Sequence, residues 1–201
     1  KGEIDLIVGS PPCTQFSYAN RGGSGDIKDG LVDIKIFLDF IVKLNPKFWI
    51  MENVPRVKRV LESNLYEKNG SLHKYRELFS DAFIEIIDCS DFGIPQKRKR
   101  MIAGNYNFEL FSTYKKYVKK NTLGQIITSL QNNEHIDPIY DKKSKNLTDH
   151  VFEDPLDSEK LRINKSMKVA HPIYNQMSFP DDLNKPSRTI ITGEGGSSPS
   201  R

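Results

Sequence analysis

Ile4-Asp5-Leu6-Ile7-Val8, followed at once by Gly9-Ser10-Pro11-Pro12, decides the fold. A short run dominated by bulky apolar side chains and ended by turn-formers reads as a buried strand of a parallel sheet. The same grammar recurs outward from it. Arg21-Gly22-Gly23-Ser24-Gly25 is too flexible for a regular element. A helix is predicted from about Leu31 to Leu44, with Ile34, Phe37, Leu38, Ile41 and Leu44 at helical spacing and Pro46 stopping it. Phe48 to Met51 reads as a second buried strand, Tyr75 to Phe83 as a helix, Phe83 to Asp88 as a third strand and Met101 to Gly104 as a fourth. Strand–helix–strand repetition predicts an α/β domain with a mainly parallel sheet, whose ligands lie at the carboxyl ends of the strands.

After about residue 106 the composition shifts. Lys, Asn, Asp and Ser dominate, and prolines recur at Pro138, Pro155, Pro172, Pro180, Pro186 and Pro199. This predicts a second, loop-rich region with little regular structure, so the chain divides into residues 1–105 and 106–201. Phe152, Tyr174, Phe179 and the triplet Thr189-Ile190-Ile191 argue against complete disorder there.

The 201 residues suffice for one large domain or one domain with a smaller appendage. The longest apolar run, Ile34 to Leu44, is broken by Lys35, Asp39 and Lys43, so no membrane span is expected. No signal peptide and no initial Met are visible, which suggests that a preceding segment is missing. Two cysteines, Cys13 and Cys89, make no disulfide framework, and no Cys/His spacing suggests a metal; a reducing, cytoplasmic setting follows. The net charge of +4 is too mild to decide a partner by itself.

Chemistry-bearing residues gather at three strand ends. Pro11-Pro12-Cys13 follows the first strand, and the proline pair stiffens the backbone before the thiol. Alone, such a cysteine is more often a small buried hydrophobe. Glu52-Asn53-Val54 follows the second strand, where a carboxylate is costly without a partner or a task, although it can simply open the turn at Pro55. Gln96-Lys97-Arg98-Lys99-Arg100 leads into the fourth strand; Arg98 and Arg100 alternate and share a side, with Lys97 and Lys99 opposite. A solvated basic run is the plain reading of that stretch, but Gly93-Ile94-Pro95 and an apolar strand bracket it inside the fold.

The order Pro-Pro-Cys, Glu-Asn-Val, Gln-x-Arg-x-Arg resembles the DNA (cytosine-5) methyltransferase family of the bacterial restriction-modification type. The family's Pro-Cys-Gln-x-Phe-Ser stands here as Pro12-Cys13-Thr14-Gln15-Phe16-Ser17, with Thr14 in place of the Gln and Phe-Ser kept. Lys185-Pro186-Ser187-Arg188-Thr189-Ile190 resembles the segment closing the family's target-recognition region. The family's N-terminal Phe-x-Gly-x-Gly cofactor loop and its last motifs are absent from these residues. The resemblance implies a partial Rossmann-like methyltransferase sheet dependent on S-adenosyl-L-methionine, with a loop-rich target-recognition region over residues 106–201. The isolated segment would be inactive, its cofactor loop coming from a missing segment or a second polypeptide.

By the same resemblance Cys13 is the nucleophile, Glu52 the acid at cytosine nitrogen 3, Arg100 the partner of the ring carbonyl oxygen and Arg98 the group holding Glu52 or the backbone. Pro12 and Leu31 would touch the cofactor, and Ser17, Asn53 and Gln96 the substrate, a flipped-out cytosine of double-stranded DNA. The glycine-rich stretch from Arg21 would be the mobile loop closing over DNA. Rival readings are an RNA cytosine methyltransferase of the same fold and a catalytically incomplete DNA-binding fragment. A thiol hydrolase is a poor third, because no motif links His73, His135, His150 or His171 to Cys13.

Overall fold

A computed structural model describes residues 3–17, 25–132, 143, 146, 157–159, 162 and 181–189. Its elements run β1 (Leu6–Gly9), α1 (Ile27–Leu44), β2 (Phe48–Asn53), α2 (Arg56–Tyr66), a 3-10 turn (His73–Phe79), β3 (Phe83–Asp88), β4 (Lys99–Gly104), α3 (Phe108–Tyr114) and α4 (Leu123–Gln131). The chain forms two compact units, one of Lys1–Asp88 with Lys99–Tyr117, the other of Cys89–Arg98 with Val118–Arg201.

The first unit holds a four-stranded sheet in the order β1-β2-β4-β3. β1 and β2 are parallel, while β4 runs antiparallel to both β2 and β3. The mainly parallel sheet expected from the strand–helix repetition is therefore a mixed one. A parallel return needs a crossover of a dozen or more residues. α1 and α2 supply one after β1 and after β2, but the Cys89–Arg98 excursion between β3 and β4 contains no crossover helix, so the chain comes back reversed.

α1 starts four residues before the predicted helix because Asp26 caps it, accepting from Lys28 N at 2.8 Å. It ends where Asn45 turns left-handed (φ 48°) and donates its N–H to Ile41 O, one residue before Pro46. Leu31, Ile34, Leu38 and Ile41 of α1 and Val57, Leu61 and Leu65 of α2 join Trp49, Met51, Met101 and Ala103 of the sheet in one core. Trp49 anchors it, edge-on to Phe37 and to Phe79 at ring-centroid distances of 6.5 and 5.2 Å. The predicted Tyr75–Phe83 helix is instead the 3-10 turn His73–Phe79, which buries Leu72, Tyr75 and Phe79 and leaves Phe83 to begin β3.

The opposite face of the sheet is unevenly covered. On the β3 side, Phe108 of α3 packs on Phe83 at 5.5 Å, backed by Tyr106 and Phe111. On the β1 side, Leu6 and Val8 are 50% and 64% exposed, and Phe48 beside them is exposed too.

In the second unit, Ile94 to Lys97 runs alongside Ser187. Ser187 N donates to Pro95 O and Lys97 N to Ser187 O, each at 2.8 Å, and Gln96 and Ser187 form a parallel bridge. Asn121 Nδ2 donates to the carbonyl of Gly93, whose φ of 85° only glycine adopts freely. The expectation of little regular structure beyond residue 106 fails at α3 and α4. Asn107 caps the first through Leu110 N, and Thr122 with Gln125 forms a full capping box on the second. Pro138, Phe152, Pro155, Pro172, Tyr174, Phe179, Pro180, Ile190, Ile191 and Pro199, on which that expectation also rested, lie outside the described residues.

Candidate active site

Parallel register puts the ends of β1 and β2 on one edge of the sheet. Gly9 lies opposite Met51, so Ser10 and Glu52 leave their strands side by side, and Ser10 Oγ donates to Glu52 Oε2 at 2.6 Å. β4 enters the sheet at this same edge. Glu52 faces Ile102 across the antiparallel pair, and Arg100, two residues earlier, is its diagonal neighbour on the same face. Arg100 Nε lies 2.8 Å from Glu52 Oε1, and its side chain is only 18% exposed. Each carboxylate oxygen of Glu52 thus has its own donor, which offsets the cost of setting a charge at the end of an apolar strand.

Alternation sends the next residue the other way. Asn53 is fully buried with Trp49 and Met51, and its Nδ2 donates to Pro11 O at 2.9 Å while its Oδ1 accepts from Val54 N. This amide ties the turn after β2 to the proline pair after β1. Two further anchors hold the same loop. Phe16 is fully buried against Gly30 of α1, and Gln15 Oε1 accepts from Asp26 N at 2.9 Å. Between the anchors, the Cys13 carbonyl accepts from Phe16 N and Ser17 N, and the Cys13 thiol is exposed. The loop is fixed on both sides of an exposed cysteine.

The structure therefore brings the Pro12-Cys13 turn after β1, Glu52 and Asn53 at the end of β2 and Arg100 at the start of β4 to one edge of the sheet, while Ser17 donates its N–H to the Cys13 carbonyl. Arg100, which the resemblance gave to the ring carbonyl oxygen, lies beside Glu52 because it sits in β4 on the face of Glu52. Arg98 and Gln96 belong to the second unit, where Arg98 O accepts from Cys89 N. Leu31 is 5% exposed within the core. Residues 21–24 of the glycine-rich stretch lie outside the described residues. Sequence reasoning missed Ser10 as a site residue; its signal was a hydroxyl at the first position past a buried strand, directly before Pro-Pro-Cys.

The profile of the family described as C-5 cytosine-specific DNA methylase matches residues 1–194. The type II methyltransferase M.AquIA of Picosynechococcus is 32% identical over 115 residues, covering 51% of this chain and 44% of that protein. The type II methyltransferase M.HindV of Haemophilus influenzae is 33% identical over 107 residues, covering 52% of this chain and 33% of that protein. Among solved structures, the Dnmt2 methyltransferase of S. pombe is 17% identical with a TM-score of 0.37, covering 61% of this chain and 38% of that one. The chain spans less than half the length of these relatives. With Cys13, Glu52 and Arg100 on one strand edge and the profile matched from residue 1 to residue 194, the chain belongs to the C-5 cytosine-specific DNA methylase family.

Proposed function

We propose that this chain carries the cytosine-activating half of a DNA (cytosine-5) methyltransferase of a restriction-modification system. The observation that carries the proposal is Glu52, held by Ser10 and Arg100 at the edge where the exposed Cys13 emerges. Carbon 5 of cytosine is a poor nucleophile. Cys13, as thiolate, adds to carbon 6 of a flipped-out cytosine, and Glu52 gives its proton to ring nitrogen 3 as charge gathers there. The bond from sulfur to carbon 6 forms, the ring becomes an enamine, and carbon 5 becomes nucleophilic. The carboxylate left on Glu52 is met by Arg100 and Ser10. Ser17 and Asn53 complete the substrate side, Asn53 through its hold on the Pro11 carbonyl.

S-adenosyl-L-methionine, when bound, supplies the electrophilic methyl group. The residues present fit one side of it, since Pro12 is exposed directly beside Cys13 at the strand edge where open α/β sheets bind ligands. Leu31 supports that edge from the core. The cofactor's glycine loop, on this proposal, comes from a segment or polypeptide outside these residues that packs on the open face of β1. The exposure of Leu6, Val8 and Phe48 supports this, because parallel strands are normally covered on both faces. Residues 1–105 carry the chemistry and residues 106–201 the choice of target. No helix among the described residues is long and apolar enough to cross a membrane. A cytoplasmic setting suits the free thiols Cys13 and Cys89.

The test is a DNA duplex carrying 5-fluorocytosine, given to the complete enzyme with cofactor. Fluorine at carbon 5 blocks the elimination that frees the enzyme, so a covalent adduct should accumulate and map to the Cys13 peptide. Cys13→Ala and Cys13→Ser should both abolish the adduct and methyl transfer while leaving DNA affinity largely intact, because that affinity comes from phosphate contacts spread over many basic residues. An adduct on Cys89, no adduct at all, or preference for an RNA of the same sequence would overturn the proposal.

A further inference from the structure

The two groups holding Glu52 are not equivalent. A guanidinium has donors only, so Arg100 can donate to the carboxylate but has nothing to accept a carboxyl proton with. A serine hydroxyl both donates and accepts, and it reorients by rotation about one bond. Ser10 Oγ sits 2.6 Å from Glu52 Oε2, within reach in either role, and its backbone is fixed between the end of β1 and Pro11, whose carbonyl Asn53 holds. Arg100, on Oε1, is set by the β2–β4 register.

We propose that Ser10 is a positioning residue for Glu52, holding its Oε2 in both protonation states. With Glu52 ionised, Ser10 donates to Oε2. With a proton on Oε2, the hydroxyl turns and accepts from it. Once ring nitrogen 3 is in place the Oε2–H turns from Ser10 Oγ to it; the O–H bond of the carboxyl then breaks, the N–H bond forms, the electron pair stays on the carboxylate, and Ser10 donates to Oε2 again. The carboxyl plane therefore keeps its direction throughout, which matters because a misplacement of about 1 Å can cost about a hundredfold in rate. The inference rests on the proposed acid role of Glu52.

The experiment compares Ser10→Ala, Ser10→Thr, Glu52→Ala, Glu52→Asp and the double variant Glu52→Asp with Ser10→Ala in the complete enzyme, measuring kcat and KM for duplex DNA by methyl transfer, with thermal melting to confirm folding. Ser10→Ala should lower kcat about tenfold or more, the size of one hydrogen bond to a charged group, with KM for DNA within about twofold. Ser10→Thr, which keeps the hydroxyl, should restore most of the rate. In a Glu52→Asp background, whose shorter side chain withdraws the carboxylate from the hydroxyl, Ser10→Ala should cost little more. A wild-type kcat for Ser10→Ala, a loss that Ser10→Thr does not restore, or an undiminished loss in the Glu52→Asp background would overturn the role of Ser10 alone. Wild-type activity of Glu52→Ala would overturn the acid role and this inference with it.

Discussion

Asn53 shows how much one side chain decides at this strand edge. It is fully buried, yet both polar atoms of its amide are used, Nδ2 on Pro11 O and Oδ1 on Val54 N. Asn53→Ala would leave the Pro11 carbonyl and the Val54 N–H short of a partner in a dry environment, a cost of about 1–3 kcal/mol. Urea denaturation should show that loss, and kcat should fall with it because the proline pair before Cys13 is freed. Asn53→Asp should also destabilise, since a carboxylate has no donor for Pro11 O. At this scale the sequence was readable where chemistry leaves a signature. A thiol after two prolines and a carboxylate after an apolar strand could be picked out by type and place. The pairing of Glu52 with Arg100 was not readable, because it depends on the β2–β4 register, and Ser10 looked like turn punctuation until Glu52 was placed beside it.

Elements carry the site through their ends and their close approaches. Gly30 of α1 lies against the nucleophile loop, where an added Cβ would run into the Phe16 ring. Glycine inside a helix costs about 1 kcal/mol relative to alanine, so by propensity alone Gly30→Ala would stabilise. The Phe16 ring is fully buried and has nowhere to go, and overpacking of this kind costs about 1–3 kcal/mol. The two terms leave a net loss or at best no gain in melting temperature. The sharper outcome concerns function: a ring pushed from its site moves the backbone between Cys13 and Ser17, so Gly30→Ala should slow adduct formation with 5-fluorocytosine DNA more than it lowers stability. Helix positions were legible from apolar spacing in α1, and its true start from Asp26 was available in the cap. α4 went unread although Thr122 and Gln125 spell its capping box, because a polar composition hid a local signal. The reversed β4 was beyond a strand-by-strand reading, since apolar runs carry no direction; only the length and content of the connection do.

At the scale of the molecule the uneven covering of the sheet is the main clue. Phe108 shields Phe83 on one side, whereas Leu6, Val8 and Phe48 stand open on the other. Apolar side chains scattered singly need no explanation, but alternate residues of a parallel strand do, because such strands are covered on both faces in open α/β sheets. If this face is where the cofactor-binding segment packs, the 201 residues alone should show no tight, stoichiometric binding of S-adenosyl-L-methionine by calorimetry. Val8→Lys separates this from a general defect. At 64% exposure the substitution should move the melting temperature of the isolated chain little, as exposed changes usually stay within about 0.5 kcal/mol. In the complete enzyme the same lysine would sit under the covering segment as an unpaired buried charge, and cofactor affinity should fall by more than tenfold. Tight binding by the isolated chain, or an unchanged cofactor affinity in the complete Val8→Lys enzyme, would show that the face of β1 is not the one that is covered.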